Sequence, residues 1–344
     1  MKISDYIQSM PKVELNLQLH GAMKPQTIAT IADQNDVAES TKHFQNWVRL
    51  LSAPEYNKLD DIIRMASSWV QQPEDLKLLV YEAATALHKQ NVRYAEISVD
   101  PSLYAALALQ ADDFLALIND GRDRAQRAWG IRIAWIISMG REEPRRAEET
   151  IRWATTMAAR KGGIVAVGLG GRESLLPVGQ FERPFKQAEK RDVARVVRAG
   201  DEQGAEGILN SMAALAPNRI IDARGAADSP EVLEKLREGN VTLSLNLSRA
   251  LKHGWVKAPA NYPLRALYDS GITVTLGSDM PSLYQTSLVG EYQKALDNEL
   301  VTLDELDEIA LNAVRASFLP DDEKAAMVET FKSEYAGLRE LVEA

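Results

Sequence analysis

The run VRYAEISV, Val92 to Val99, is short, rich in branched and aromatic residues, and followed by a longer helix-like segment. A strand covered on both faces by helices reads this way, because neither face has to be polar. Seven further runs share the pattern: VELNLQL from Val13, IRIAWIIS from Ile131, GIVAVGLG from Gly163, VARVVRAG from Val193, RIIDARG from Arg219, VTLSLNLS from Val241 and TVTLGSD from Thr273. Eight such strands alternating with helices predict an α/β fold, a (β/α)8 TIM barrel. The stretch between residues 26 and 91 predicts extra helices between the first and second strands, and the segments after the eighth predict closing helices at the C-terminus. Ser229-Pro230-Glu231 and Thr302 with Glu305 mark helix starts. No repeat or linker divides the chain, so residues 1–344 are expected to form one domain.

Composition narrows the function. The chain is 45% hydrophobic and carries a formal net charge of -9, which argues against nucleic acid or anionic membrane as a partner. It has no cysteine, which excludes disulfides, thiolate catalysis and cysteine-bound metal, and predicts a cytoplasmic location. MKISDYIQSMPK has no apolar signal core, and no window approaches the ~20 apolar residues of a membrane span. In PKVELNLQLHGAMKP, Pro11 to Pro25, the polar Asn16, Gln18 and His20 alternate with Leu15, Leu17 and Leu19, so a strand running through them would put all three on one face.

That stretch is similar to the opening motif of the adenosine deaminases of the zinc amidohydrolase superfamily, in which a Pro-Lys-Val-Glu-Leu strand carries His-x-His. VRAGDEQGAEGI resembles the family's His-Ala-Gly-Glu segment, NRIIDARGA its Arg-Ile-Gly-His-Gly, and VTLGSDMPSLYQTSLVGEY its Thr-Asp-Asp-Pro with the following Leu-x-x-Glu-Tyr. The likeness extends from about residue 8 to 332 with the motifs in matching order. It implies the same barrel. It also implies where the family's zinc ligands would fall: on Asn16, Gln18, Arg198 and Asp279, of which only the aspartate is retained. The family's hydroxide-orienting histidine falls on Asp222, and its proton-donating glutamate on Asp201.

Catalytic zinc takes three protein ligands, usually including histidines, and the chain has four histidines in all: His20, His43, His88 and His253. Only His20 is expected near the barrel mouth, and an arginine at a ligand position repels a dication. The expectation is therefore a protein with no bound metal or other cofactor. Arg141, Arg172, Arg198, Arg224 and Arg249 each follow a successive strand, and active sites of this fold sit at those strand ends. Guanidinium groups grip carboxylates and phosphates, so Arg198 and Arg224 are read as contacts to a small anionic or nucleoside-like ligand, with Arg141 and Arg249 as bystanders. Gly171 in GLGGRES, with Arg172, belongs to a segment resembling the one whose backbone approaches the purine in the family.

The favoured reading is a metal-independent enzyme that binds its substrate with Asn16, Gln18, Arg198, Arg224, Gly171, Arg172 and Glu202. In it Asp279 is the general base, Asp201 or Glu202 the acid, Asp222 a partner in place of the family histidine, and His20 a proton shuttle. Two alternatives stand beside it. One is a binding protein without turnover; the other is a deaminase with an atypical metal on Asp279, Asp222, Asp201 and His20, an oxygen-rich set suited to magnesium or manganese.

Overall fold

The computed structural model describes residues 1–343. Its eight parallel strands follow one another in chain order: β1 Lys12–Gln18, β2 Val92–Val99, β3 Arg132–Met139, β4 Ile164–Leu169, β5 Ala194–Arg198, β6 Arg219–Ile221, β7 Thr242–Leu245 and β8 Val274–Leu276. Each of the eight sequence runs overlaps one. The ring is completed beyond the end of β8, where Asp279 N donates to Asn16 O at 2.6 Å and Gln18 N donates to Asp279 O at 2.8 Å. The barrel is therefore nearly closed, and Asp279 is the residue that joins its last strand to its first.

The strands are buried along almost their whole length, β1 at every position. Helices outside the barrel and side chains inside it exclude water from both faces, and this is why the runs lack polar alternation. Ile136, Ala166, Val196 and Ile221 form an inner layer capped by Phe318. Below the mouth, Arg219 pairs with Glu96 at 2.8 Å and lies over the Phe318 ring at 4.4 Å. Glu96 is thus part of the barrel filling.

The expected extra helices lie between β1 and β2, at Pro25–Gln34, Val37–Ser40, Phe44–Ser52, Leu59–Ser68 and Pro73–His88. Ser229 accepts from Val232 N, and Thr302 with Glu305 forms a reciprocal capping box, so both sequence-read helix starts are present. The closing helices are Leu288–Asp297, Leu303–Arg315 and Asp321–Glu343. Among the described residues no helix is long and apolar enough to cross a membrane.

One local expectation fails. β1 ends at Gln18, and Leu19–Ala22 forms a helical turn, so His20 does not continue the strand face of Asn16 and Gln18. Register shifts within β1 between Glu14 and Leu17 break the alternation further.

Candidate active site at the barrel mouth

Beneath the cavity at the carboxyl ends of the strands lies a buried network of charges. Arg198, the last residue of β5, donates to Asp222 and, through Nη2, to Asp279 Oδ1 at 2.8 Å. Arg249, in the helical turn Leu247–Lys252 after β7, places Nε 3.0 Å from Asp201 Oδ2 and 3.4 Å from Asp222 Oδ2, and Nη1 3.6 Å from Asp279 Oδ2. Its Nη1 also donates to Tyr284 Oη at 2.6 Å. Two guanidinium groups thus bridge three carboxylates, all of them buried. Burial at such cost persists only when each charge is paired, as these are.

Backbone geometry fixes two of the acids. Asp222 and Asp279 have φ of 66° and 53°, a left-handed conformation that aspartate tolerates better than most residues. Asp222 N donates to Ser244 O at 2.9 Å and Asp279 is held by β1, so neighbouring strands enforce both conformations. Such outliers cluster at functional sites.

The acids differ in proton affinity. Burial alone would raise Asp279, but Arg198 and then Arg249 outweigh it and hold the carboxyl below its ordinary range. Asp201 goes the other way: burial, then the Asp222 carboxylate, push it up to about 8 against the pull of Arg249. Burial holds His20 down to about 4, so its imidazole is neutral at pH 7. The mouth therefore presents one protonated carboxyl beside one fixed carboxylate.

The cavity has a volume of about 560 Å³. Of the sequence-predicted residues, Gln18, His20, Gly171, Arg172, Arg198, Asp201 and Glu202 wall it. Gly171 has φ 77°, and a Cβ there would lie 3.0 Å from Arg141 N. Asn16, Asp222 and Asp279 lie outside the wall, and the latter two communicate with it through Arg198. Arg224 faces a separate surface cleft with Asp228 and Val256, where its Nη2 donates to Asp201 O at 3.2 Å.

The arginines expected to contact an anion all have acidic neighbours. Arg198 is engaged by Asp222 and Asp279, Arg172 lies 3.4 Å from Glu202, and Arg64 lies 3.0 Å from Glu142 across the same cavity. Attraction between fixed opposite charges in a medium of low polarity consumes the field an anion would feel. Arg141 is buried and donates to Arg198 O at 2.5 Å, the structural role expected of it. Arg249, expected to be a bystander, is central.

One wall lies outside the site residues expected from sequence. His253 and Trp255 stack at 4.4 Å with an interplanar angle of 10°, His253 Nε2 lies 3.3 Å from Tyr284 Oη, and Arg249 sits 5.2 Å above the Trp255 ring. His20 is therefore not the only histidine at the mouth. The signal was present: Arg249 and His253 are four apart, the spacing that brings side chains together on one helical turn.

The fold and site define an amidohydrolase-like (β/α)8 barrel with a polar, ion-paired mouth. The adenosine deaminase family profile matches residues 11–334. The chain belongs to the adenosine deaminase family. It is 28% identical over 335 residues to an aminodeoxyfutalosine deaminase of Streptomyces avermitilis, covering 96% of this chain and 93% of that one. It is 26% identical over 321 residues to an adenine deaminase of Sphingopyxis alaskensis, covering 93% of each. A zinc-bound amidohydrolase from Burkhoderia ambifaria superposes with a TM-score of 0.89 at 20% identity, over 99% of this chain and 94% of that one.

Asn16 and Gln18 offer neutral amides, and both polar atoms of the buried Asn16 side chain meet no partner among the described residues. The position of the third ligand carries a guanidinium that itself occupies Asp279, the one retained ligand. This donor set does not fit zinc. In the alternative set, Asp201, Asp222 and Asp279 are each bound to Arg198 or Arg249.

Proposed function

We propose that the protein is a deaminase-like hydrolase whose mouth cavity takes an uncharged aminopurine or its nucleoside. The observation that carries this reading is the cavity wall itself: Asp201 as a protonated acid, Gln18 as an amide, and the flat His253–Trp255 pair, with the arginines of the wall already engaged by acids. A purine ring has an apolar face for such a stack and edge nitrogens for an acid and an amide. Membership of the deaminase family and the names of the curated relatives support the reaction class.

In this reading Asp201 donates a proton to a ring nitrogen, its raised proton affinity keeping it loaded near neutral pH. Gln18 orients the ring edge, and neutral His20 passes a proton between the ring and water. Asp279 holds Arg198 in place and does not itself reach the ligand. A second reading, binding without turnover, is favoured by one observation: Asp222 and Asp279 are both engaged by Arg198, which leaves neither free to activate water.

Titration calorimetry with adenine, adenosine and larger 6-aminopurine nucleosides tests the ligand class, and ammonia release from the same panel tests the reaction. Binding with ammonia release is the expected result. Binding with no ammonia from any member supports the second reading, and no binding to any member rejects both.

A further inference from the structure

We infer that Arg198 is the resident cation of this site: its guanidinium does the charge-balancing that a metal ion does elsewhere in the family, and the folded chain rejects divalent cations because of it. The inference rests on the family reading for the position, but its test is separate from purine binding.

Three features carry it. Arg198 replaces a ligand and points inward, toward Asp222 and Asp279, where a bound dication would also be directed. Its backbone is anchored, since Arg198 O accepts from the buried Arg141, so the guanidinium is held in place by a second layer. Arg249, from the turn after β7, then reaches the same two acids and Asp201 as well. A dication entering this cluster would face two fixed positive charges within a few ångströms, with no thiolate in the chain to compensate.

A built-in cation has a consequence that loss of a metal site by drift does not. Removing it must leave the Asp222 and Asp279 carboxylates and the Asp201 carboxyl facing one guanidinium, a cluster that is unstable alone and attractive to a hard cation. Removing both the cation and one acid must restore balance.

The experiment uses the full chain in four forms: parent, Arg198→Lys, Arg198→Ala, and Arg198→Ala with Asp222→Asn. Each is expressed with zinc and manganese in the medium, assayed for metal by plasma emission, and melted with chelator, with zinc and with manganese. The parent is expected to hold no stoichiometric metal and to melt at one temperature in all three conditions. Arg198→Lys should remain insensitive to metal. Arg198→Ala should melt lower with chelator, by on the order of 5 °C, and regain part of that loss with manganese. The double variant should melt above Arg198→Ala with chelator and respond less to manganese.

About one tightly held zinc or manganese per parent chain, lost to chelator with a fall in melting temperature, overturns the inference. So does an Arg198→Ala chain as stable as the parent with chelator, since the guanidinium would then balance nothing. If Arg198→Ala yields no folded protein while Arg198→Lys does, the need for a cation is supported. The metal content of the parent decides the matter even if neither variant folds.

Discussion

Arg249 Nε lies 3.0 Å from Asp201 Oδ2, joining the turn after β7 to the end of β5 across the mouth. This pair holds the one acid of the site that keeps its proton near neutrality, and it does so from beneath an aromatic wall. Cutting it strands a buried carboxyl. Arg249→Met is expected to cost about 3 kcal/mol in chemical denaturation, and the double variant Arg249→Met/Asp201→Asn should recover part of that loss. Additive losses in the cycle would show that the two residues do not interact.

The proton affinity of Asp201 predicts a pH signature. A carboxyl raised from 3.8 to about 8 binds more protons in the folded state than in the unfolded one between those values. Its contribution is therefore complete below the unfolded value and falls away as pH rises toward 8. Asp201→Asn removes that dependence, so the stability of the variant relative to the parent should rise between pH 4 and 8 and level off above it. Paired urea titrations across this range measure it, and a difference that stays flat would place the proton elsewhere.

Trp255 stands in the cavity wall and presents a ring already stacked on His253. Trp255→Ala should weaken purine binding by about 10-fold, the loss expected when one stacking face disappears, with little change in melting temperature. Calorimetry on this variant distinguishes a ligand platform from a packing residue: unchanged affinity with a large loss of stability would assign it to packing.

The arginines of the mouth are paired, so anions should bind poorly. Phosphate and sulfate are expected to shift the melting temperature less than adenosine does at equal concentration. The opposite ranking would mean that the cavity field is positive despite the pairing.

Glu291 is fully buried and accepts from Leu247 N at 2.7 Å, Ser248 N at 3.1 Å and Thr286 Oγ1 at 2.6 Å. It fastens the start of the turn that carries Arg249. Glu291→Ala should cost about 3 kcal/mol, and Glu291→Gln, which keeps one acceptor, less. Denaturation of the two variants checks the order.

The barrel was legible in the sequence because each strand is buried on both faces, and two-sided burial writes itself as a continuous apolar run. The strand-end residues of β5 were placed well for the same reason: Arg198 and Asp201 sit at fixed offsets from a recognisable run. What was not legible depended on the path of the chain after a strand. His20 was assigned to a strand face, but β1 stops at Gln18. Arg249, His253 and Trp255 reach the mouth only because a helical turn follows β7, and nothing in a list of apolar runs specifies the direction of that turn. The pairing of the arginines was hidden more deeply. Whether a guanidinium meets a ligand or an aspartate is decided by contacts between residues as far apart as Arg198 and Asp279.

The two hydrogen bonds that tie Asp279 to β1 set an order of events during synthesis. β1 and β5 leave the ribosome long before Asp279 does, so a nascent chain carries Arg198 and Asp222 with the barrel still open and the third acid missing. The charge balance at the mouth and the closing of the ring are completed by the same residue, at the same moment. A chain halted before residue 279 would present an unclosed strand edge together with unmatched charge, both of which are recognisable to the machinery that removes incomplete proteins. A chain that passes that point loses both marks at once.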